Sequence, residues 1–499
     1  MKTTLRKTSA VILGKLLAIL SIVLIATTCT QANNISVSNI SITGKNTTAG
    51  TNNAANYSMV KFNLAWENSW RSAALNWDAA WVFVKYRVNG GAWNHCNLNN
   101  TGHTAATGST IDAGLVTPSS AFNITTNPAV GVFIYKNADG NGNVNYQNVQ
   151  LRWNYGSQGV ADNAVLDVQV FAIEMVYVPT GTFAVGDGGT LNQEYTLTTI
   201  NTGNATTAPS GTGSLGGQAG GYPTGQSAPA NVNFPNGYNA FYCMKYEISQ
   251  GQYVDFLNTL TYNQQLSRTN HRGDQPINII GNYALVNYNN TPSQNNGSKG
   301  NAIRVKTIAN PTGIPAVFES INYNLPCNYL TFDDFCSLIS WSGLRPMTEL
   351  EYEKSCRGTI TPIQGEFAWG NASLSGNNYY SFDYCCNFKR VGSFATNSSG
   401  RVSAGASYYG IMELTANVVE QVIICDGSSV FIGTNGNGNL DSVGNKLNSD
   451  WDNFILKGSI NFVNQGNSSF YVISSISSHL NSGYVEQMVI GGRGVRSAQ

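Results

Sequence analysis

RPMTELEYEKSCRG, at residues 345–358, is the stretch that decides the fold of this chain. Thr348 is a favoured helix N-cap residue, and Glu351 follows three positions later, which is the spacing of a capping box. The pattern predicts a short amphipathic helix directly after Thr348. Its less polar positions are Leu350, Tyr352 and Cys356.

Six other segments accompany this stretch in a fixed order along the chain. They are EMVYVPTGTFAVGD (174–187), FYCMKYEISQGQYVDFLNTL (241–260), EFAWGN (366–371), VGSF (391–394), YYGIMELTANVVEQV (408–422) and GGRGVR (491–496). With residues 345–358 they resemble, one after another, the motifs of the formylglycine-generating enzyme or sulfatase-modifying-factor superfamily. The resemblance covers about residues 174–496. It implies a variant of the C-type-lectin fold, an α+β domain rich in irregular structure.

Local patterns add two helices to this expectation. Ser249 and Gln252 form a second capping box, followed by a helix that buries Tyr253, Phe256 and Leu257. Another helix is predicted from about Phe332 to Trp341. Two polar ranges, 201–233 and 262–325, are interpreted as loop insertions because their composition buries little.

Residues 33–173 have the short alternating runs of an all-β sandwich. The predicted strands are Ile35–Thr43, Met59–Trp66, Trp81–Val88, Val130–Tyr135, Val149–Trp153 and Val165–Ile173. Asn89, Gly90 and Gly91 are a turn signal between two of the runs. The tryptophans are interpreted as the aromatic core, with a carbohydrate-stacking platform as the alternative. They are Trp66, Trp70, Trp77, Trp81 and Trp93. We thus expect a mixed fold of two domains, 33–173 and 174–499.

The surface of the protein is predicted to be polar but nearly uncharged. Only 11% of the 499 residues are charged, and 27 acidic side chains balance 27 basic ones. Without a basic stripe, a nucleic-acid-binding function is excluded. The four histidines are scattered and no C-x-x-C pair occurs, so a zinc site is excluded as well.

The N-terminus is typical of an export signal. Basic residues precede an apolar run at 16–26, and a small-residue cleavage site ends at Ala32, so residues 1–32 are predicted to be a signal peptide. A lipid anchor at Cys29 is the less favoured alternative. No second run of membrane-spanning length follows, so the mature chain is predicted to be secreted or attached to the cell surface. In such a compartment some of its eight remaining cysteines are expected to form disulfides.

The resemblance also predicts where oxidase chemistry would lie. Oxidases of the family use a cysteine pair near the C-terminus, which binds copper and activates oxygen. In this chain Lys457 to Ile460 stands at the strand that precedes that pair, and no cysteine follows Cys425. Thiolate chemistry needs the thiols. We therefore expect no catalytic residues of this kind and no copper.

A calcium site is the second expectation that the resemblance carries. It implies side-chain ligands from Glu413 and Glu420, with the backbone carbonyls of Ala416 and Val418 between them. Oxygen donors of this kind suit Ca²⁺. The alternative is that both glutamates are solvated or hydrogen-bonded within the protein.

The segment 460–484, INFVNQGNSSFYVISSISSHLNSGY, replaces the catalytic segment of the family. Aromatic residues among Asn and Ser are typical of a protein-binding surface. The resemblance places this segment on the ligand-binding face of the lectin-like fold, where some bacterial relatives are diversified by retroelements. The alternative is a neutral Asn/Ser-rich segment, since the whole chain shares that bias. The candidate ligand-binding residues are Asn461, Phe462, Asn464, Phe470, Tyr471, Ser474, His479 and Tyr484.

Three functions remain open from the sequence. The favoured one is a non-catalytic binding protein with a protein or glycan ligand at the cell surface or outside the cell. The second is a structural protein that assembles with copies of itself through its low-charge β-domain. The third is a divergent oxidase acting on a sulfatase cysteine. Fold alone does not separate these functions.

Overall fold

The chain has been analysed as a computed structural model. It describes residues 35–189, 195, 197–204, 229, 231–268, 303–307, 313–320, 322–373, 388–396, 400–415, 417–451, 453–458, 460–465, 468–473 and 490–499. The predicted signal peptide and Cys29 lie outside these residues. The fold is mixed and rich in β-strands, with few helices.

Eight strands and one 3₁₀ turn form the N-terminal part. They are β1 (Ser36–Asn46), β2 (Tyr57–Ser72), β3 (Asn76–Val88), β4 (Asn94–His95), β5 (Ser109–Leu115), β6 (Ala129–Lys136), β7 (Gly140–Trp153) and β8 (Leu166–Val178), with the 3₁₀ turn at Tyr155–Gln158. All six predicted strands are confirmed, most of them longer than expected. The turn at Asn89 and Gly90, which both have positive φ, connects β3 to the short β4.

Strand β8 links the two parts of the chain. It pairs with β3 over eleven residue pairs, from Asp78↔Val176 to Val88↔Leu166. Its C-terminal end pairs with a strand of the second part, β11 (Phe241–Met244). The expected domain boundary at 173/174 therefore falls inside β8. One sheet runs through both parts in the order β1-β2-β3-β8-β11-β20-β14, where β20 is Gly494–Ser497 and β14 is Arg345–Pro346.

Strand β3 is buried on both of its faces. Its even-numbered residues, such as Val82 and Val84, pack into the core formed with β2 and β7. Its odd-numbered residues, such as Trp81 and Phe83, pack into a larger core with the C-terminal part. The sequence of such a strand is a nearly continuous run of apolar residues, because its side chains alternate between two faces that are both buried.

The tryptophans of this region belong to these cores. Trp66 is 1% exposed and Trp81 is fully buried, which confirms the aromatic-core interpretation for both. Trp70, Trp77 and Trp93 are half-buried. Since none of the five is fully exposed, they form no open stacking platform.

The C-terminal part contains four α-helices and twelve strands among the described residues. The helices are α1 (Gln250–Leu257), α2 (Tyr262–Arg268), α3 (Phe332–Trp341) and α4 (Glu349–Arg357). The strands are β9 (Phe183–Val185), β10 (Thr198–Ile200), β11 (Phe241–Met244), β12 (Ile303–Thr307), β13 (Val317–Ser320), β14 (Arg345–Pro346), β15 (Val419–Ile423), β16 (Phe454–Lys457), β17 (Ile460–Gln465), β18 (Ser468–Ile473), β19 (Ile490–Gly491) and β20 (Gly494–Ser497). The range 262–325, expected to be a loop insertion, in fact contains α2, β12 and β13.

Both predicted capping boxes and the helix from Phe332 to Trp341 are confirmed. Helix α4 differs from its prediction in one respect, because all nine of its residues are buried and no polar face meets solvent. Its charges are neutralised inside the protein: the Arg357 guanidinium contacts Glu353 at 3.0 Å and Glu366 at 2.5 Å. Paired charges are tolerated in a core, whereas unpaired ones are not.

The six described cysteines are free and buried. They are Cys96, Cys243, Cys327, Cys336, Cys356 and Cys425. The expectation of disulfides is therefore wrong for these six, and the adjacent Cys385 and Cys386 lie outside the described residues. None of the helices in the described ranges is long and apolar enough to cross a bilayer.

Candidate functional site

A cluster of buried charges lies beneath the motif at residues 408–422. Glu247 follows β11, Glu413 lies in a loop with a left-handed φ of 67°, Glu420 lies in β15, and Arg493 connects β19 to β20. All four side chains are at most 1% exposed. The sheet pairing of β15 with β19 and of β20 with β11 brings these distant parts of the chain together.

Arg493 is the centre of this cluster. Its Nη2 and Nε lie 2.6 and 2.7 Å from Glu420 Oε1. Its remaining donors reach the carbonyls of Met244, at 3.1 Å, and Met412, at 2.8 Å. The guanidinium thus holds three separate segments at one point, with the geometry of charge-assisted hydrogen bonds.

Glu247 fixes the loop that precedes β15. Its Oε1 accepts a hydrogen bond from Val418 N at 2.9 Å, and its Oε2 accepts one from Asn417 Nδ2 at 2.6 Å. Burial, followed by the nearby Glu413 carboxylate, raises the pKa of Glu247 well above its usual value. Burial also raises the pKa of Glu420, against the opposing effect of Arg493. Such shifts mark functional sites, but structural networks produce them as well.

The predicted calcium ligands are placed as follows. Glu413 Oε1 accepts a hydrogen bond from Gly392 N at 2.8 Å, and Val418 lies in the loop held by Glu247. Ala416 lies outside the described residues. Glu420 fits a calcium site poorly in this arrangement, because Arg493 already supplies the positive charge beside its carboxylate. No cluster of three His, Cys, Asp or Glu side chains in the described ranges has the geometry of a metal site. The calcium site stays a prediction.

The candidate ligand-binding residues lie on or after an isolated hairpin. Strands β17 and β18 pair with each other and, among the described strands, with no other. The register places Phe462 opposite Tyr471 and Asn464 opposite Ser469. Asn461 and Phe470 also lie in these strands, whereas Ser474, His479 and Tyr484 lie outside the described residues. The hairpin therefore brings five of the eight predicted residues into one element.

A second charged cluster was not predicted from the sequence. Lys245 Nζ lies 3.1 Å from Glu174 Oε2 and 3.5 Å from Asp78 Oδ2, and all three side chains are at most 4% exposed. Burial, opposed by Lys245, raises the pKa of Glu174 to about 7. Asp78 also accepts hydrogen bonds from Trp66 Nε1 at 3.0 Å and Ser69 Oγ at 2.7 Å.

This cluster joins the N-terminal part to the C-terminal part at the edge of a cavity. The cavity has a volume of about 320 Å³, and its lining includes Trp70, Lys245, Arg401 and Tyr408. The signal in the sequence was a single charge inside an apolar run, as in NWDAAW and FYCMKY. A charge in such a run is buried together with a partner, but the run does not say which partner.

The comparison with known families gives one match. The model described as "Sulfatase-modifying factor enzyme 1-like domain" matches residues 167–475, which is more than half of the chain. No curated protein matches the chain significantly. The matched range begins inside β8 and includes all three glutamates of the Arg493 cluster, Glu247, Glu413 and Glu420.

Proposed function

Because the chain belongs to the family of sulfatase-modifying factor enzyme 1-like domains, we propose that it is a non-catalytic binding protein of that family. Its ligand is a protein or glycan at the cell surface or outside the cell, and export depends on the predicted signal peptide. The family fold would then serve as a rigid support for a binding surface, since one fold hosts many functions.

The distribution of cysteines carries this proposal. The family resemblance places a redox cysteine pair near the C-terminus, but residues 426–499 contain no cysteine. Burial raises the pKa of Cys243 to about 12 and the pKa of Cys425 well above its usual value. The thiolate is the reactive form of cysteine. The described thiols therefore stay protonated and are poor nucleophiles at neutral pH.

The β17–β18 hairpin is the proposed ligand-binding element. It occupies the place of the catalytic segment, and Asn, Ser, Phe and Tyr provide both hydrogen bonds and contact area at low entropic cost. Asn461, Phe462, Asn464, Phe470 and Tyr471 lie in its strands, and Ser474, His479 and Tyr484 follow them in the sequence, outside the described residues.

A peptide-oxidation assay tests the proposal. The mature chain is incubated with copper, oxygen and a Cys-x-Pro-x-Arg peptide, and the peptide mass is followed by mass spectrometry. We expect no change at the peptide cysteine while circular dichroism shows the folded protein. Conversion of the cysteine to formylglycine would overturn the proposal. Loss of that activity in a Cys385→Ser/Cys386→Ser variant would then locate the chemistry at those residues.

Self-assembly is the second candidate function, and strand β1 favours it. Among the described strands β1 pairs only with β2, and none of its eleven residues is buried. Ile40 and Ile42 are 39% and 38% exposed. An exposed edge strand is a template for pairing with another chain, and a lysine in the middle of the edge opposes such pairing, whereas the lysine that β1 already has, Lys45, lies next to its C-terminal end. Filaments seen by electron microscopy that disappear in the Ile42→Lys variant would support this function, and a monomer at all concentrations would exclude it.

A further inference from the structure

A second cavity shares no lining residue with either charged cluster or with the β17–β18 hairpin. Its volume is about 930 Å³, at the upper end of the roughly 300–1,000 Å³ that small-molecule sites occupy. Loops from three parts of the chain line it: residues 116–119, residues 232–240 and residues 432–448. The end of β20, at Ser497, completes the wall.

The lining of this cavity is dominated by side-chain amides. Six asparagines contribute: Asn233, Asn236, Asn239, Asn435, Asn437 and Asn448. Hydroxyls of Thr117, Ser119 and Thr434 lie among them. An amide has both a donor and an acceptor, and so has a hydroxyl, but Asn236 Nδ2, Asn437 Oδ1 and Asn448 Nδ2 already bond within the protein. The wall therefore matches a ligand whose own groups donate and accept at many positions.

The cavity has no uncompensated side-chain charge. Arg345 and Glu351 are the only charged side chains in its described lining. They pair with each other through two contacts, Nη1 to Oε2 at 2.8 Å and Nη2 to Oε1 at 2.6 Å. Arg345 Nε also donates to Ser497 Oγ at 3.0 Å. Because this bidentate pair satisfies itself, these two side chains attract neither an anion nor a cation strongly.

One buried donor in the wall has no protein partner. Asn435 is 4% exposed, and its Nδ2 makes no hydrogen bond within the described part of the chain. Its Oδ1 accepts from Ser497 N at 3.3 Å, which fixes the amide orientation. An unpaired buried donor is unfavourable, and a ligand oxygen that accepts from it removes that penalty.

The rim of the cavity is apolar. Val232, Ile432 and Leu447 are 49%, 49% and 51% exposed, and Phe234 lies below them in the lining. A ligand ring with hydroxyls on its edges and C–H groups on its faces would hydrogen-bond to the amides of the wall and pack against the apolar rim. An extended peptide fits this cavity less well than such a ring does. It would bind by pairing with an exposed strand edge, but β20 is already paired on both sides, with β11 and β14.

We propose that this cavity binds an uncharged carbohydrate. The site is separate from the β17–β18 hairpin and does not depend on the ligand proposed there. Asn435 Nδ2 donates to a ring hydroxyl, Asn233 contributes from the exposed side, and the apolar rim packs against the sugar face.

The test uses neutral trisaccharides of glucose, mannose, galactose and N-acetylglucosamine, with trigalacturonate as the charged probe. Saturation-transfer NMR identifies a binder among them, and calorimetry gives its Kd. Asn435→Asp keeps the acceptor toward Ser497 N and removes the donor, so we expect at least tenfold weaker binding of the neutral sugar. Asn233→Ala, at an exposed position, is expected to weaken binding severalfold without affecting folding.

Two controls separate this site from the hairpin. Asn439→Ala changes an exposed asparagine of the same loop that does not line the cavity, and binding should be unchanged. Phe462→Ala/Tyr471→Ala changes the hairpin and should also leave sugar binding unchanged. The proposal is overturned if no neutral trisaccharide gives a signal at about 5 mM, which corresponds to a binding free energy weaker than about −3 kcal/mol. It is equally overturned if trigalacturonate binds more tightly, or if Asn435→Asp and Asn233→Ala both bind as the wild type does.

Discussion

Arg493 illustrates how one side chain organises the C-terminal part. It is fully buried and joins Glu420 to the carbonyls of Met244 and Met412. Arg493→Met leaves the Glu420 carboxylate buried without its counter-charge, and removal of one partner from a buried pair costs about 3–5 kcal/mol. We expect a loss of that size in the free energy of unfolding, measured by urea denaturation.

The matched control for Arg493 is an exposed ion pair. Arg87 Nε lies 2.7 Å from Asp167 Oδ2, with the two side chains 36% and 53% exposed. Arg87→Met should change the free energy of unfolding by about 1 kcal/mol or less, because water screens such pairs. Adding Glu420→Gln to Arg493→Met should recover part of the loss. Equal effects at positions 493 and 87 would contradict the assigned role of Arg493.

Glu174 makes stability depend on pH. Burial raises its pKa from 4.5 to about 7, with Lys245 opposing the shift and Asp78 and Glu67 adding to it. A carboxyl group whose pKa is raised by folding binds its proton more tightly in the folded state. Its stabilising contribution is therefore complete below pH 4.5 and is lost as the pH rises through about 7. The contribution is on the order of 3 kcal/mol.

The variant Glu174→Gln isolates this effect. The amide cannot titrate, and its oxygen can still accept a hydrogen bond from Lys245. Relative to Glu174→Gln, the wild type should lose unfolding free energy between pH 5 and pH 8, as measured by denaturation at each pH. A constant difference across that range would show that Glu174 is ionised throughout.

At the scale of a single element, the capping box of α1 gives a local prediction. Ser249 Oγ accepts from Gln252 N at 3.2 Å, and Gln252 Oε1 accepts from Ser249 N at 2.9 Å. Ser249→Ala removes one of these bonds and should lower the free energy of unfolding by about 1 kcal/mol. Ser442→Ala, at an exposed position, is the control and should have no measurable effect in the same urea titration.

The elements that the sequence predicts correctly are those with local signals. Both capping boxes and the helix Phe332–Trp341 depend on residues a few positions apart, and the structure has them as expected. The alternation of apolar and polar residues likewise predicted the strands of residues 33–173, but it did not predict the extension of β8 into the second part. That extension depends on pairing with β3 and β11, which lie far away in the sequence.

Buried charge is the feature of the candidate site that local patterns missed. The amphipathic pattern predicted a polar face for α4, but its charged residues Glu351, Glu353 and Arg357 are all buried in pairs. Similarly, Glu420 was expected either to bind calcium or to be solvated or hydrogen-bonded within the protein, and its sequence neighbours did not indicate that its partner is Arg493. When the partner of a buried charge lies on another strand, the residues next to that charge in the sequence do not indicate the partner.

For the whole molecule, the small number of charges has a physical consequence. Only 11% of the residues are charged, and at least five ion pairs in the described ranges are almost fully buried. The surface therefore has few charges relative to its amides and hydroxyls. Salt screens buried pairs much less than exposed ones. Stability is therefore expected to depend little on ionic strength, and recognition at this surface depends on hydrogen bonds and apolar contact.

The shared sheet predicts that the two parts of the protein unfold together. Trp81 Nε1 of β3 donates to Ser342 O at 2.8 Å, and Lys85 Nζ donates to Trp341 O at 2.8 Å, both across the junction. Residues 174–499 alone lose these contacts and the partner of β8, so apolar surface of the larger core becomes exposed to water. We expect one calorimetric transition for the mature chain, with equal van't Hoff and calorimetric enthalpies.

The corresponding fragments should not fold independently. A chain of residues 174–499 is expected to show no cooperative thermal transition. Lys85→Met tests the junction without cleavage: it removes a fully buried ammonium that donates to two carbonyls, Trp341 O at 2.8 Å and Gly438 O at 2.5 Å. Two orphaned carbonyls each cost about 1–3 kcal/mol, so the single transition should move to lower temperature as a whole. If instead Lys85→Met splits the transition in two, with one part at the original temperature, then the two cores are energetically independent and β8 connects them without coupling them.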